Sequence, residues 1–348
     1  MQIELPISKS IANRWLMLQA IHGDELMPVS DSMPDDVRLL HCTLTTLKTF
    51  RTSKTLLTPH INVGNCGTAM RFLTAYCAQL ERQTVILDGV ERMHHRPIGQ
   101  LVDALREIGA DIEYLGEEGF PPLRIKGCIL DKHRIVTINN PQSTQFVSAL
   151  LLIGANVQTD STSPYITLTR TLIEQYALAS SPYRLSPIAL ERDWSSAAFW
   201  YEYVALHGGE ITLLGLSSNS LQGDKAVADV FAHLGVRTAY TAEGVVISSS
   251  PLHPTPYTLH HDFVACPDLY PAVALTCERL GIQLHATGVE SLPLKESDRL
   301  RAVAEHRTDA DHRMAMALLI AGYEVDDTAC ISKSYPCFLD HLRQLYEK

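Results

Sequence analysis

The sequence lacks the features that mark membrane, secreted and zinc-binding proteins. It contains no run of about 18 apolar residues, the length needed to span a bilayer, and its first residues do not have the basic and then apolar layout of a secretory signal. Its eight cysteines include no CxxC pair and no spacing typical of a zinc site, so we expect reduced thiols rather than disulfides. These absences predict a cytoplasmic protein with no membrane partner.

Common catalytic signatures are absent as well. The sequence has no GxGxxG, no GxxxxGKS or GxxxxGKT and no GxSxG, which excludes the usual dinucleotide, P-loop and hydrolase interpretations. The histidine pairs His94–His95 and His260–His261 are adjacent and do not have the i,i+4 spacing of helical metal ligands. We therefore expect no metal and no cofactor.

The charge balance limits the possible ligands. A net charge of −10 over 348 residues argues against general binding to nucleic acid or to anionic membranes, although a local basic site remains compatible with it. Any anion site must therefore be a cluster of basic residues. A hydrophobic content of 46% is that of an ordinary globular protein, and the length favours two domains.

A repeated plan runs along the chain. The stretch from Arg96 to Gly127 has apolar residues at helical spacing, then Gly109 and an alternating pattern, which predicts helix, strand, turn and strand. The stretch from Gly223 to Ser249 predicts the same series, with Gly235 closing the helix. Three further stretches show the same pattern more weakly, and each lacks most of the hairpin that should follow its helix. They begin at DDVRLLHCTLTTL, PYITLTRTLIEQY and KESDRLRAVAEH.

Six short polar segments lead directly into apolar or small-residue helices. A helix N-terminus presents unpaired N–H groups and about half a positive charge, so each opening can bind an anion, although any single one can equally be an ordinary cap. Lys9 and Arg14 lie about 1.4 helical turns apart, so both can reach a ligand with separate negative groups. The openings are SKSIANRWLML, GNCGTAMRFLTAYCA, PQSTQFVSALLLIGA, DWSSAAFWYEYVAL, CPDLYPAVALTCERL and DADHRMAMALLIAG.

Groups suited to proton transfer stand in or near these openings. Asp268, Glu296 and His312 are the main examples, and carboxylate, imidazole and a neighbouring amine are what proton transfer at a hydroxyl and a carbon requires. Asp268 can alternatively be only a helix cap. A lone arginine is usually a surface charge or an ion-pair partner, and Arg71 and Arg92 are open to that interpretation.

The motifs closely resemble, in their order, those of the 3-phosphoshikimate 1-carboxyvinyltransferase family, also called EPSP synthases: PISKSIANR, GNCGTAMR, RMHHRPIG, QSTQF, DWSSAAF, PD, LKESDRL, DHRMAM and SKSYP. The resemblance runs from Pro6 to Pro336, and KESDRL and DHRMAM are highly specific together. It implies an α/β fold, a two-domain inside-out α/β barrel with three βαβαββ repeats per domain. The shikimate 3-phosphate domain would span 8–190, and the phosphoenolpyruvate and catalytic domain 1–7 plus 191–348.

The resemblance also implies a reaction. The enzyme would add the 5-hydroxyl of shikimate 3-phosphate to the enolpyruvyl group of phosphoenolpyruvate and release phosphate through a tetrahedral ketal intermediate, a step of chorismate and aromatic amino acid biosynthesis and the target of glyphosate. The two ligands bring about five or six negative charges together, which only a dense cationic set can offset. We expect no cofactor, no nucleic-acid partner and a monomer.

The family's functional residues carry over to matching positions. Asp268 and Lys295 would transfer the proton of the 5-hydroxyl, and Glu296 would protonate and deprotonate the methylene carbon. The implied catalytic set is Asp268, Lys295, Glu296, His312 and Lys9. The implied shikimate 3-phosphate ligands are Lys9, Ser10, Arg14, Ser143, Thr144, Gln145, Thr162, Tyr165, Asp268, Ser291 and Lys295. The implied phosphoenolpyruvate ligands are Lys9, Gly67, Arg96, Gln145, Arg299, Arg313 and Lys333.

The chain departs from the family pattern in substitutions and in length. Ser291 replaces the usual Asn, Thr144 and Thr162 replace the commoner Ser, and Phe72 replaces a frequent Pro or Leu. Three hairpins are missing, which leaves sheet edges open. Either the repeats are shortened or residues of the natural protein are missing from the sequence. We favour the second and predict spatial breaks at 306–309 and near 50–54, 177–183 and 321–322.

Two other functions compete with this interpretation. UDP-N-acetylglucosamine enolpyruvyl transferase uses the same donor, but the SKSIANR and QSTQF motifs argue against it. A non-catalytic binding protein for phosphorylated metabolites would fit a shortened chain. The presence of Asp268, Lys295 and Glu296 argues against an idle binding protein.

Overall fold

The computed structural model describes residues 1–52, 58–179, 191–250 and 257–347. The helices are α1 (Lys9–His22), α2 (Asp35–Thr52), α3 (Gly67–Ala78), α4 (Gly99–Glu107), α5 (Thr144–Leu152), α6 (Pro164–Ala179), α7 (Trp194–His207), α8 (Val227–Ala232), α9 (Tyr270–Leu280), α10 (Arg299–Ala304), α11 (His312–Ile320) and α12 (Phe338–Tyr346). The strands are β1 (Gln2–Glu4), β2 (His60–Asn62), β3 (Thr84–Asp88), β4 (Asp111–Tyr114), β5 (Leu123–Lys126), β6 (Ile135–Thr137), β7 (Asn156–Gln158), β8 (Glu210–Leu214), β9 (Val236–Tyr240), β10 (Gly244–Ser249), β11 (Thr258–Asp262) and β12 (Gln283–Thr287).

The chain folds into two compact units. Unit 1 consists of Met1–Lys9, Ser30–Asp35 and Ala189–Lys348, and unit 2 of Ser10–Val29 and Asp36–Ile188. Both units mix helices with parallel and antiparallel strands. The architecture is therefore α/β, as the motifs led us to expect.

Each unit contains one complete helix and hairpin repeat, where the sequence pattern predicted it. In unit 2, α4 is followed by β4 and β5, and the four-stranded sheet has the order β2-β3-β5-β4. In unit 1, α8 is followed by β9 and β10, and the sheet has the equivalent order β1-β8-β10-β9. The register follows from alternation: in β5, Leu123 and Ile125 are buried while the residues between and after them are exposed.

The other repeats are shorter. Strands β6 and β7 form a two-stranded parallel sheet in unit 2, and β11 and β12 form its counterpart in unit 1. No described strand separates α1 from α2, or α11 from α12. Each unit therefore contains a complete repeat, a repeat with two parallel strands, and a pair of helices without a described strand between them.

Backbone hydrogen bonds span two of the four windows for which spatial breaks are predicted. After α10 the Arg307 N–H donates to the Ala302 carbonyl at 2.9 Å, and the Asp311 N–H donates to the Thr308 carbonyl at 2.9 Å, so a turn leads directly into α11. The Tyr323 N–H likewise donates to the Leu318 carbonyl at 2.9 Å, across the second window. The windows 50–54 and 177–183 lie partly outside the described residues.

The core of unit 1 surrounds α7. This helix buries Trp194, Phe199 and Trp200 completely, and the Trp200 indole N–H donates to the Tyr335 hydroxyl at 3.1 Å. Helices α8, α9 and α11 pack against it. No helix in the described part of the chain is long and apolar enough to cross a membrane.

One carboxyl group in this core has no compensating contact. Glu202 on α7 is 0% exposed, and neither of its carboxylate oxygens has a hydrogen-bond partner among the described residues. Burial raises the pKa of Glu202 well above its usual value. The folded protein therefore keeps a proton on this residue that the unfolded chain releases as the pH rises above about 4.3.

We expect Glu202→Met to stabilise the protein, and increasingly so as the pH rises from 5 to 8. Because the folded wild type keeps the proton of Glu202, its free energy of unfolding must fall as the pH rises from 5 to 8. Met cannot bind this proton, so the variant lacks this contribution to the pH dependence. The gain should reach about 1–3 kcal/mol at pH 8. Urea unfolding at pH 5 and pH 8 measures it, with Glu174→Met on the exposed side of α6 as control. If Glu202→Met stabilised the protein by the same amount at pH 5 and at pH 8, the result would contradict a proton held on Glu202 in the folded state.

Candidate active site

The predicted catalytic residues of unit 1 meet around Asp268. This residue lies in the 3-10 turn Pro267–Leu269 that leads into α9. Its Oδ1 accepts from Arg299 Nη1 at 2.6 Å and lies 3.5 Å from Lys295 Nζ, and its Oδ2 lies 2.9 Å from Arg313 Nη2. Burial would raise the pKa of Asp268, but the charges of Arg313, Lys295 and Arg299 together hold it well below its usual value. Asp268 is therefore ionised and paired with three cations.

Arg299 is the buried centre of this network. Its side chain is 1% exposed at the start of α10. Besides Asp268, it donates from Nη2 to Glu296 Oε2 at 3.1 Å and from Nε to Asp311 Oδ2 at 2.8 Å. Lys333 Nζ lies 3.2 Å from Glu296 Oε1, on the other oxygen of that carboxylate. The arrangement joins the LKESDRL, DHRMAM and SKSYP motifs into one alternating cluster of cations and carboxylates.

His312 is the first residue of α11 and is 0% exposed. Its Nδ1 lies 3.7 Å from Asp311 Oδ1, beyond hydrogen-bond distance, and neither ring nitrogen has a hydrogen-bond partner among the described residues. Burial, and then the charges of Lys9, Arg313 and Lys333, lower the pKa of His312 well below its usual value. The imidazole is therefore neutral, and it can donate from one nitrogen and accept at the other.

Two further buried carboxylates face the same cations. Asp193 caps α7 by accepting from the Ser196 backbone N–H at 3.0 Å, and Asp224 accepts from the Ser195 hydroxyl. Burial raises the pKa of Asp193, while the charges of Arg313 and Lys9 act in the opposite direction. Burial and the charge of Asp268 raise the pKa of Asp224 to about 6. The charge of Lys9, the first residue of α1, thus lowers the pKa of both Asp193 and His312.

In unit 2 the most unusual group is the guanidinium of Arg14. It is 3% exposed, and no described carboxylate lies within ion-pair distance of it. Burial lowers the pKa of Arg14 to about 10. It donates from Nε to Thr169 Oγ1 at 2.7 Å, from Nη1 to the Ser10 carbonyl at 2.9 Å and from Nη2 to Ser148 Oγ at 3.1 Å. One N–H therefore remains on each terminal nitrogen, so Arg14 keeps two charge-assisted donors for an anion such as a carboxylate.

Aromatic rings hold Arg14 in place. Its guanidinium carbon lies 5.4 Å from the centre of the Phe72 ring and 6.0 Å from that of Tyr165. Phe72 is buried on α3, and Tyr165 is partly buried in the first turn of α6. Phe72, a departure from the family pattern, therefore supports a predicted ligand residue.

The QSTQF opening forms the N-terminus of α5. Ser143 is its N-cap, and its hydroxyl accepts from the Gln145 backbone N–H at 3.3 Å. The Gln145 amide donates to Thr68 Oγ1 at 2.9 Å, which connects α5 to the start of α3. Thr144 is the first residue of α5, while Thr162 lies exposed in the segment before α6.

Two arginines cover the start of α3. Arg96 donates from Nη1 to the Asn65 carbonyl at 3.0 Å, and a Cβ added to Gly67 would lie 2.5 Å from Arg96 Nη2 and even closer to Arg71 Nη1. Arg71 is 3% exposed and donates to the Pro97 carbonyl at 3.1 Å. The interpretation of Arg71 as an ordinary surface charge is therefore wrong.

The structure groups most of the predicted residues within each unit. Asp268, Lys295, Glu296, Arg299, His312, Arg313 and Lys333 form the unit 1 cluster, with Lys9 nearby. Ser291 lies apart from these contacts, as the N-cap of the turn Leu292–Leu294 that precedes Lys295. Sequence reasoning missed Asp311, Ser148, Thr169 and Asp224. Of these four residues, only Asp311 could have been found from the sequence, because it lies in the DADHRMAM opening.

The two units have an α/β architecture, and comparison with known proteins identifies the class of protein. The family model described as EPSP synthase (3-phosphoshikimate 1-carboxyvinyltransferase) matches residues 1–306 and 303–342. The chain belongs to the EPSP synthase family.

Relatives and solved structures agree with this assignment. The 3-phosphoshikimate 1-carboxyvinyltransferase of Bacteroides fragilis strain ATCC 25285 is 36% identical over 98% of this chain and 94% of its own length. That of Cellvibrio japonicus is 32% identical over 99% and 96%. EPSP synthase from Acinetobacter baumannii has the same fold, with a TM-score of 0.67 at 19% identity over 99% of this chain and 95% of that one.

A second solved structure, the enolpyruvyl transferase NikO from Streptomyces tendae, has a TM-score of 0.61 at 12% identity over 99% of this chain and 94% of that one. It too shows the fold alone. The Bacteroides fragilis alignment runs over 400 positions, more than the 348 residues of this chain. That relative therefore has internal residues with no counterpart here, in agreement with the shortened repeats.

Proposed function

We propose that the protein transfers the enolpyruvyl group of phosphoenolpyruvate to the 5-hydroxyl of shikimate 3-phosphate and releases phosphate. Family membership supports this reaction. The observation that carries the proposal at the level of residues is Arg14, a buried cation that no described carboxylate neutralises. Burying such a charge is unfavourable unless an anion completes the site, and the carboxylate of shikimate 3-phosphate would do so.

The neighbouring residues of unit 2 suit the rest of this substrate. Ser143 and Thr144 stand at the N-terminus of α5, where backbone N–H groups and the helix dipole favour a phosphate. Thr162 adds a hydroxyl from an exposed segment, and Ser10 and Tyr165 flank Arg14. In this proposal the ligands of shikimate 3-phosphate also include Gln145, Lys9, Asp268, Ser291 and Lys295.

Phosphoenolpyruvate would bind to the residues that the family resemblance implies. They are Arg96, the Gly67 backbone, Arg299, Arg313 and Lys333, with Lys9 and Gln145 adding hydrogen bonds. The unit 1 cations now pair with Asp268 and Glu296. The phosphate and carboxylate of the substrate would compete with these protein carboxylates for the cations. Binding would thereby release both carboxylates for proton transfer.

The chemistry needs two proton movements. Asp268, with Lys295, would accept the proton of the 5-hydroxyl as its oxygen bonds to the enol carbon, and this proton would later leave with the phosphate. Glu296, which would take up a proton from solvent when the substrate displaces it from Arg299 and Lys333, would give that proton to the methylene carbon and so form the tetrahedral ketal. Glu296 would then remove a methyl proton as the carbon–oxygen bond to phosphate breaks. The neutral His312 would support these steps as a hydrogen-bonding group. Lys9, Arg313 and Lys333 would stabilise the charge that develops on the phosphate.

The decisive experiment measures phosphate release from phosphoenolpyruvate in the presence of shikimate 3-phosphate. We expect turnover that depends on both substrates and a new enolpyruvyl ether in the product. Turnover with UDP-N-acetylglucosamine instead would favour the other transferase. Binding of both ligands without phosphate release would favour a non-catalytic binding protein.

Finer structural features remain predictions of this proposal. They are the inside-out barrel with three repeats per domain, the domain limits 8–190 and 1–7 plus 191–348, the monomeric state and the cytoplasmic location. The described strands of each unit support the repeat scheme in a shortened form. Sedimentation analysis of the purified protein would test the monomer.

We expect glyphosate to compete with phosphoenolpyruvate, and Gly67→Ala to weaken the inhibitor more than the substrate. The added methyl would collide with the guanidinium ends of Arg71 and Arg96, which would have to shift. Since the phosphonate and carboxylate of glyphosate would rest on Arg96, Arg313 and Lys333, little free space would remain for adjustment. Inhibition constants and KM values for both forms test this, and equal losses for inhibitor and substrate would contradict the proposed position.

A further inference from the structure

A buried glutamine connects three segments of unit 1 that carry charged site residues. Gln222 is 5% exposed. Its Oε1 accepts from the Ser8 hydroxyl at 2.9 Å and from the Trp194 backbone N–H at 3.1 Å, and its Nε2 donates to the Arg192 carbonyl at 2.8 Å. Both ends of the amide are therefore engaged, and the side chain can hold only one orientation.

The residues that Gln222 contacts lie directly beside charged groups. Ser8 is 0% exposed and precedes Lys9, and Trp194 follows Asp193 at the start of α7. Asp224 lies two residues after Gln222 and accepts from Ser195 in the same turn of α7. One amide thus fixes the backbone next to a predicted catalytic lysine and next to two buried carboxylates.

Backbone hydrogen bonds already hold two of these segments side by side. The Ser8 N–H donates to the Glu191 carbonyl at 2.7 Å, and the Asp193 N–H donates to the Pro6 carbonyl at 3.0 Å. These bonds would persist without the Gln222 side chain. The amide adds a fixed distance between the Ser8–Lys9 peptide and the first turn of α7, and so fixes the backbone from which the Lys9 side chain extends.

The position of Lys9 matters because its charge acts on two groups of the cluster. It lowers the pKa of His312 and counters the effect of burial on Asp193. Asp193 is the N-cap of α7, and His312 is the first residue of α11. A shift of the Ser8–Lys9 peptide by a fraction of an ångström, if it moved the Lys9 charge, would change the electrostatic potential at Asp193 and at His312.

We propose that Gln222 is a positioning residue of the transfer reaction, which acts through Ser8 and Lys9. This inference rests on the proposed function, in which Lys9 contacts both substrates. A purely structural role would lower stability and reduce turnover by the same factor whether or not Lys9 is present. A positioning role makes the effect of Gln222 depend on Lys9.

The test is a double-mutant cycle on kcat with Gln222→Leu, Lys9→Met and the double variant. We expect Gln222→Leu to lower kcat by about 10–100-fold in the wild type and by less than about 3-fold when Lys9 is already Met. Equal factors in the two backgrounds would overturn the proposal. Ser8→Ala removes one bond of the same amide with a smaller risk to folding, and it should show the same dependence on Lys9.

A second measurement does not require turnover. The imidazole carbon resonances of His312, assigned with His312→Gln, should shift in the same direction in Lys9→Met and in Gln222→Leu, with no further change in the double variant. Additive shifts, or no shift in Gln222→Leu, would overturn the proposal. If wild type releases no phosphate, the proposed function fails, and this arm still tests the positioning of Lys9.

A matched control comes from α9. The Thr276 hydroxyl is 0% exposed and donates to the Ala272 carbonyl at 2.6 Å, so Thr276→Val removes one buried hydroxyl bond of unit 1 without touching the Ser8–Lys9 peptide. We expect unchanged kcat and an unchanged His312 resonance in this variant. A change in Thr276→Val as large as that in Ser8→Ala would show a general response to lost buried hydrogen bonds and would overturn the specific role of Gln222.

Discussion

We expect Lys295→Met to lower kcat by at least about a hundredfold while the protein remains folded. Lys295 Nζ lies 3.5 Å from Asp268 Oδ1, and this side chain is only 25% exposed. In the proposed mechanism Lys295 stabilises charge at the hydroxyl oxygen and shares its proton with Asp268. Met keeps the length and apolar stem of the side chain but removes the charge. A loss of about 2.7 kcal/mol in transition-state stabilisation corresponds to the hundredfold effect.

Lys126→Met is the matched control for this experiment. Lys126 Nζ also lies 3.5 Å from a carboxylate, that of Asp111, but the two side chains are 69% and 62% exposed. An exposed pair of this kind contributes little to stability, so turnover and melting temperature should be unchanged. Steady-state kinetics with both substrates and a thermal unfolding curve complete the comparison. Near-normal turnover in Lys295→Met would remove Lys295 from the catalytic set.

Arg14→Met should raise the KM for shikimate 3-phosphate by at least about a hundredfold without destabilising the fold. The two N–H groups left on the terminal nitrogens would form charge-assisted hydrogen bonds to the substrate, each worth about 1.5–3 kcal/mol. The protein does not need this charge for its own folding. Ser148 Oγ and Thr169 Oγ1 lie 2.9 Å apart, and Thr169 also donates to the Tyr165 carbonyl at 2.7 Å, so both hydroxyls keep partners without Arg14.

The stability of Arg14→Met separates a binding role from a structural one. Removing a buried, uncompensated charge should leave the melting temperature equal or higher. Arg106→Met provides the control, because Arg106 also donates to a carbonyl, that of Ile112 at 2.7 Å, and lies 5.0 Å from the Tyr114 ring. We expect Arg106→Met to keep the wild-type KM. A destabilised Arg14→Met with an unchanged KM would show that Arg14 supports the fold and not the substrate.

Much of the local structure was predictable because its causes are local. The stretches 96–127 and 223–249 each formed the helix and hairpin that their periodicity indicated. The polar openings were predictable for the same reason, since a cap bonds to residues two or three positions away. Asp193, Asp311 and Ser143 each cap the helix that follows them.

The spatial breaks stay a prediction. The family match divides at residues 303–306, and His306, Asp309 and Ala310 have positive φ in the segment that joins α10 to α11. The argument assumed that every repeat requires its hairpin to satisfy the neighbouring strands. Instead, parallel pairs such as β6 with β7 stand without the hairpin, and a turn of a few residues joins α10 to α11. The sequence by itself therefore left two alternatives, shortened repeats or missing residues.

By itself the sequence determined the α/β class, the repeated plan, the helix openings and the set of charged groups, because composition, periodicity and capping act over a few residues. Only the tertiary structure decided which charges meet. Arg14 donates to Thr169, 155 residues away, and Ser8 to Gln222, 214 residues away. Burial is likewise a property of the whole fold, which is why Arg71 resembled a surface residue in sequence and Glu202 an ordinary helical one. Contacts between distant segments depend on packing that no local pattern encodes, and it is these contacts that bring the cations and carboxylates together.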